Sequence, residues 1–189
     1  MKNQIIISEP TFEKARKSIR ESQKKDSESH SNCSQLKGQW EWGKKNSVQE
    51  IGGNCEQFAK QKLQVIFSSS DDDLIRKVLE KEKIDGILIN LENRNDFQKQ
   101  RNSGFNQVIA KLVKKQNAFV GINLDELVST KSLEKQKILA RIKQNIKLCN
   151  KNKVQMKFIA QNPKNERNIY DLKALGLVLG MPTNMIKFL

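Results

Sequence analysis

Residues 84–90 read Ile84-Asp85-Gly86-Ile87-Leu88-Ile89-Asn90, and this stretch decides the fold class. It is almost continuously apolar and does not alternate. A strand buried on both faces reads this way, which is the condition of a parallel sheet covered by helices. The same rhythm spreads outward from it. Upstream, Leu63-Gln64-Val65-Ile66-Phe67 is a second strand, and Ser68 to Asp73 supply cap and acidic first-turn residues for a helix through Leu79. Downstream, a helix over about Ser103 to Gln116 leads to a strand over Ala118 to Leu124. A helix over about Ser132 to Asn150 then leads to a strand over Gln155 to Ala160. A final helix over about Ile169 to Leu179 stops at Gly180-Met181-Pro182. At the other end, Gln4 to Ser8 is strand-like and Pro10-Thr11-Phe12-Glu13 opens a basic helix to about Arg20. Short apolar runs alternating with helices specify βα units, so the class is α/β with a parallel sheet.

One stretch breaks the rhythm. Residues 21–60 are polar and rich in Ser, Gln, Lys and Glu, with Trp40 and Trp42 embedded. This composition predicts a partly disordered insertion, with a short hairpin around Gln39 to Trp42. The whole chain, 1–189, is then a single domain carrying that insertion, since 189 residues suffice for one core.

The chain holds 35 Lys and Arg against 21 Asp and Glu, a formal net charge of +14. Such an excess speaks of partners rather than fold, and it favours nucleic acid over a membrane. No run reaches the length of a membrane span, and the apolar part of the N-terminus is too short for a signal peptide. Three cysteines, Cys33, Cys55 and Cys149, form no disulfide-scaffold spacing. Reduced thiols in the cytoplasm are the expectation.

Two helices carry the basic surface. In the later one Ile138, Leu139, Ile142, Ile146 and Cys149 form the buried face, and Lys137, Arg141, Lys143, Lys147 and Lys151 the opposite arc. In the earlier one Phe105, Ile109 and Leu112 define the buried face, while Lys111, Lys114 and Lys115 share another. Segregated positive arcs on consecutive helices predict a phosphate-contacting surface.

Catalytic groups are scarce. The single histidine, His30, lies in the polar insertion, so no Ser-His-Asp or Cys-His constellation can be assembled. His30, Cys33 and Cys55 lack both zinc-ligand spacing and a fourth ligand. Gly52-Gly53 lacks the context of a dinucleotide turn. Asp71-Asp72-Asp73 is read as helix capping rather than a cation site. Asp125-Glu126, just past a strand end, stands where a barrel enzyme places its catalytic groups, with no acid, base or nucleophile identified beside it. No catalytic residue and no metal site are expected in this chain.

Ile84 to Asn90, then Asn93-Arg94-Asn95-Asp96, then Gly104-Phe105-Asn106-Gln107-Val108-Ile109-Ala110-Lys111-Leu112, together resemble a family signature. The family is the archaeal ribonuclease P protein component 3, related to the eukaryotic thirty-kilodalton subunit. The similarity continues through Lys114 to Leu124, and Asn168-Ile169-Tyr170-Asp171-Leu172 with Leu175-Gly176-Leu177 resembles the family's closing segment. It covers roughly 62–180, and more weakly 4–20. The resemblance implies a TIM-barrel-like fold of the polymerase-and-histidinol-phosphatase lineage, used as an RNA-binding scaffold. With about six strands counted, the barrel is expected to be truncated or incomplete. The resemblance further implies a non-catalytic subunit supporting RNA-catalysed removal of the 5′ leader from precursor tRNA, an endonuclease reaction. Its partners would be ribonuclease P RNA, protein component 2 and other subunits, with precursor tRNA met indirectly. Mg²⁺ would be held by the RNA, and no cofactor by the chain. Three departures stand out: Asn106-Gln107 replaces Asp-His, Ala160-Gln161-Asn162-Pro163 replaces a Ser-Ser-Asp-Ala-like element, and about Phe97 to Arg101 is inserted. The residues expected to touch RNA are Arg94, Lys114, Lys115, Lys143, Lys147, Lys151 and Arg167. Two alternatives are a metal-dependent phosphoesterase of the same lineage and a general RNA-binding scaffold.

Overall fold

The computed structural model describes residues 4–40 and 63–187. Five strands, β1 (Gln4–Ile7), β2 (Gln64–Ser69), β3 (Gly86–Ile89), β4 (Phe119–Asn123) and β5 (Met156–Ile159), pair in parallel and in chain order. Ile66 lies opposite Gly86, Gly86 opposite Phe119, and Val120 opposite Met156. The helices are α1 (Phe12–Trp40), α2 (Asp72–Lys81), α3 (Gln107–Gln116), α4 (Leu124–Ser129), α5 (Ser132–Asn152), α6 (Ile169–Leu179) and α7 (Thr183–Ile186). A 3₁₀ turn, Pro163–Asn165, precedes α6.

Every crossover steps to the next strand in the same direction. Right-handed crossovers of that kind place all the helices on one face. The packing agrees. Ile7, Phe67, Ile87, Val120 and Met156 of the strands share one cluster with Ile19, Val78, Ile109, Val113, Ile138 and Ile142 of the helices. The opposite face, built from Ile66, Leu88, Phe119 and Ile159 with Ile6 against them, includes strand residues only. The sheet is therefore wound once, as an arc of a barrel is, with helices outside and a narrow apolar interior. Two glycines make that interior fit. A Cβ on Gly86 would lie 2.6 Å from the Phe119 ring, and one on Gly121 would lie 2.5 Å from Ile159 Cδ1. The arc bends far enough that Gln4 and Ile6 of one edge strand line the same cleft, of about 860 Å³, as Lys157 and Ile159 of the other.

Three expectations change. About six strands were counted, and the described residues form five. The polar insertion was expected to begin at residue 21, but α1 continues through 21–40 to Trp40, so Gln39 and Trp40 are helical rather than part of a hairpin. Glu, Lys and Gln, all good helix formers, are interspersed with Ser through this stretch, and no Pro interrupts it. The helix is also held: Gln23 donates to the Lys83 carbonyl at 2.7 Å, and Asp26 accepts the Leu63 N–H at 3.1 Å. Trp42 and the rest of that stretch to residue 60 lie outside the described residues. Thirdly, the strand expected to reach Leu124 ends at Asn123, and Asp125 and Glu126, read as lying just past it, belong to the first turn of the short helix α4.

Candidate nucleic-acid interface

The cleft at the C-terminal ends of the strands is where a barrel enzyme works. Here it measures about 1220 Å³ and is lined by Asp71, Asp72, Asp73, Glu92, Asp125 and Glu126, with Arg94 the only cation among the described residues that line it. Most of these carboxylates already hold the scaffold. Asp71 caps α2, accepting from the N–H groups of Asp73 and Leu74. Asp72 pairs with Arg94 at 2.9 Å. Asp125 accepts from the Gln161 N–H and the Asn165 side-chain amide, each at 2.7 Å, and so staples the β5–α6 loop. Glu126 is buried and accepts the Leu91 N–H at 3.0 Å. Burial pushes its carboxyl above the ordinary glutamate value, opposed by that N–H and assisted by the charge of Glu92. Among the described residues no group of three or more His, Cys, Asp or Glu side chains could hold a metal ion.

Arg94, expected at RNA, is 9 % exposed, and its fork is largely spent. It donates to both Asp72 oxygens and to the carbonyls of Asn90 and Ser70. A side chain on Gly104 would drive into this pair, 2.3 Å from Arg94 Nη1, and Gly104 also has φ +68. Arg94 thus fastens the β3–α3 loop to the start of α2.

Arg141 overturns an expectation. It was assigned to the outward basic arc of α5, yet it is fully buried. It donates to Asp96 at 2.9 Å and to the carbonyls of Leu91, at 2.8 Å, and Arg94. Desolvation alone would raise the Asp96 carboxyl. Hydrogen bonds from Arg141 and the Asn102 N–H, and the Arg141 charge, hold it below the ordinary aspartate value. Spacing carried the signal: Ile138, Arg141, Ile142, Asn145, Ile146 and Cys149 form one helical stripe, and all are buried. The charge of residue 141 hid its place on that stripe.

The other expected lysines lie at the surface. Lys114 and Lys115 in the last turn of α3, and Lys143, Lys147 and Lys151 on α5, are all exposed. The two helices pack on each other. Gln107 and Lys114, seven residues apart and so on one face of α3, both reach the end of α5. Gln107 donates to the Asn152 side chain at 2.8 Å, and Lys114 Nζ to the Lys153 carbonyl at 3.1 Å. Lysines at helix C-termini also suit the helix dipole, which accounts for Lys114, Lys115 and Lys151 without any ligand. What the dipole does not account for is the absence of acids. From 97 to 124 and again from 135 to 165 the chain has no Asp or Glu at all. Arg167 stands apart, exposed beside the cleft between β1 and β5.

The molecule is therefore polar in charge, acidic at the strand ends and basic on α3 and α5. No helix of the described residues is long and apolar enough to cross a membrane. No family model matches the chain, and no curated protein matches it. Solved structures do. One is a chain in a cryo-EM structure of archaeal ribonuclease P with mature tRNA. The likeness covers 98 % of this chain and 77 % of that one, with a TM-score of 0.57 at 18 % identity. Across almost its whole length, the chain shares the fold of a chain found in archaeal ribonuclease P.

Proposed function

We propose that this chain is a non-catalytic protein subunit of ribonuclease P, which holds RNA while the RNA performs the cleavage of precursor tRNA. The observation that carries the reading is the fold likeness to a chain of that ribonucleoprotein over 98 % of the sequence. The acid-free lysine faces of α3 and α5 support it, because a surface that neutralises phosphate needs cations without competing carboxylates. The strand-end cleft supports it too. Its carboxylates are mostly committed to loops and caps, and an acidic cleft repels a phosphodiester. In this reading the barrel arc descends from the TIM-barrel-like polymerase-and-histidinol-phosphatase lineage, and Mg²⁺ belongs to the RNA. The complex works in the cytoplasm. Protein component 2 is the expected protein partner, and the exposed Tyr170, Leu177 and Val178 on α6 offer it apolar surface.

Charge reversal tests the reading. In ribonuclease P reconstituted from its RNA and protein subunits, Lys114, Lys115, Lys147 and Lys151 are all changed to Glu. Processing of precursor tRNA should fall by at least about tenfold at moderate salt, with the isolated chain still folded at the assay temperature, its melting temperature lowered only as far as reversed charges at two helix C-termini require. Activity equal to that of the unmodified enzyme would remove the RNA contact from this surface.

A further inference from the structure

The β3–α3 loop carries the one large aromatic side chain that the described loops leave in solvent. Phe97 is 61 % exposed. Its base is anything but loose: Asp96 takes the Arg141 guanidinium at 2.9 Å, Arg101 at 3.0 Å and the Asn102 N–H at 2.9 Å. Within the tip, the Phe97 N–H donates to the Gln100 carbonyl at 3.0 Å, so the turn is closed on itself. A single exposed apolar side chain is ordinary on a protein surface, and what distinguishes Phe97 is that its ring lines a pocket from a pinned loop.

Below it lies a pocket of about 410 Å³ between this loop and α5, with room for a nucleobase. Its wall is rich in amides, among them Gln100, Asn102 and Asn106 from the loop and Gln144 from α5, with Leu148 supplying apolar contact. Asn102 and Asn106 spend their side-chain oxygens on backbone N–H groups, and their NH₂ groups donate to no described residue. The side-chain amides of Gln100 and Gln144 have no hydrogen bond among the described residues. Amides present donor and acceptor together, as the edge of a base does. Arg101 lines the pocket, and Lys143 and Lys147, exposed about a quarter-turn round α5 from Gln144 and Leu148, lie outside it within reach of a strand that leaves it.

We infer that this pocket receives an unpaired RNA base, stacked on Phe97 and read by the amides, with Lys143 and Lys147 on the adjoining phosphates. The inference rests on the reading of the chain as an RNA binder and adds to it a preference for single strands. A protein partner is the weaker fit, because the pocket wall is polar and the carboxylate in it, Asp72, is already paired with Arg94.

Two probes separate the inference from the reading beneath it: a short mixed-sequence single-stranded RNA, and the blunt duplex of the same length. The full chain is titrated with each at low salt, as wild type, Phe97→Ala and Phe97→Trp. Phe97→Ala should bind the single strand roughly tenfold more weakly, the lower part of what one stacked base contributes. Duplex affinity and melting temperature should be unchanged, and Phe97→Trp should bind the single strand at least as well as wild type. Equal loss on both probes, or no loss on either, would overturn the base pocket while leaving the RNA-binding subunit intact. Unchanged RNA affinity with lost binding of protein component 2 would assign the loop to a protein contact and overturn it as well. Wild type that binds neither probe would overturn the underlying RNA reading itself.

Discussion

Arg141 shows how much a single residue can settle. A fully buried guanidinium needs its charge paired and its donors met, and Asp96 with two carbonyls does both. Removing it leaves two carbonyls unmet and takes from Asp96 its buried partner, leaving it only Arg101 and the Asn102 N–H. Arg141→Leu should therefore cost about 3 kcal/mol or more in denaturant unfolding, far beyond an exposed lysine of the same helix. A loss near zero would mean that the loop does not depend on this pair. Glu126 and Asp96 titrate with opposite signs. Asp96 is held low, so its contribution is present above the ordinary aspartate value and fades as pH falls through its folded value. Glu126 is raised, so the fold loses stability as pH climbs from the ordinary glutamate value through its folded one. Glu126→Gln keeps an acceptor for the Leu91 N–H and removes that loss. The variant should be more stable than wild type at neutral pH and should lose its advantage in acid, as thermal melts across pH would record. The free thiol Cys149 is buried, and burial pushes it up to about 12, so it packs rather than reacts.

At the scale of elements, much was legible. The continuous apolar run around Ile87, the capping carboxylates from Asp71 and the stop at Gly180 placed β3, α2 and α6 correctly, because buried parallel strands and helix ends leave strong local signatures. The α1 extension was not legible: its hold comes from Lys83 and Leu63, which lie more than thirty residues away in sequence. The α3 start shifted for a local reason, since Asn106 caps the helix and leaves 103–105 to the loop. The lysine surface was legible as residue type and spacing, apart from Arg141, and Arg94 was legible only as important. Its engagement with Asp72 depends on a fold that brings together two loops twenty-two residues apart. If α3 and α5 track phosphates, single Lys→Ala changes at Lys143 or Lys147 should weaken RNA binding alike for all sequences. Each should also make the slope of log affinity against log salt shallower by up to about one unit. A change that altered sequence preference without altering the slope would argue against phosphate contact.

For the whole molecule, the organising fact is a separation of charge across a singly wound sheet. The strand ends, where barrel enzymes do chemistry, are acidic and structurally occupied, and the basic surface lies on the helices outside. A net charge of +14 could have been spread evenly, and the fold instead gathers part of it on two adjacent helices whose one acid, Glu134, is already paired with Lys137. The measurement that bears most directly on the account is co-purification of the tagged full chain from its native cell, at moderate salt. Ribonuclease P RNA and protein component 2 should come down with it, and the recovered complex should process precursor tRNA. Recovery of the chain without that RNA would contradict the account, whatever else accompanied it.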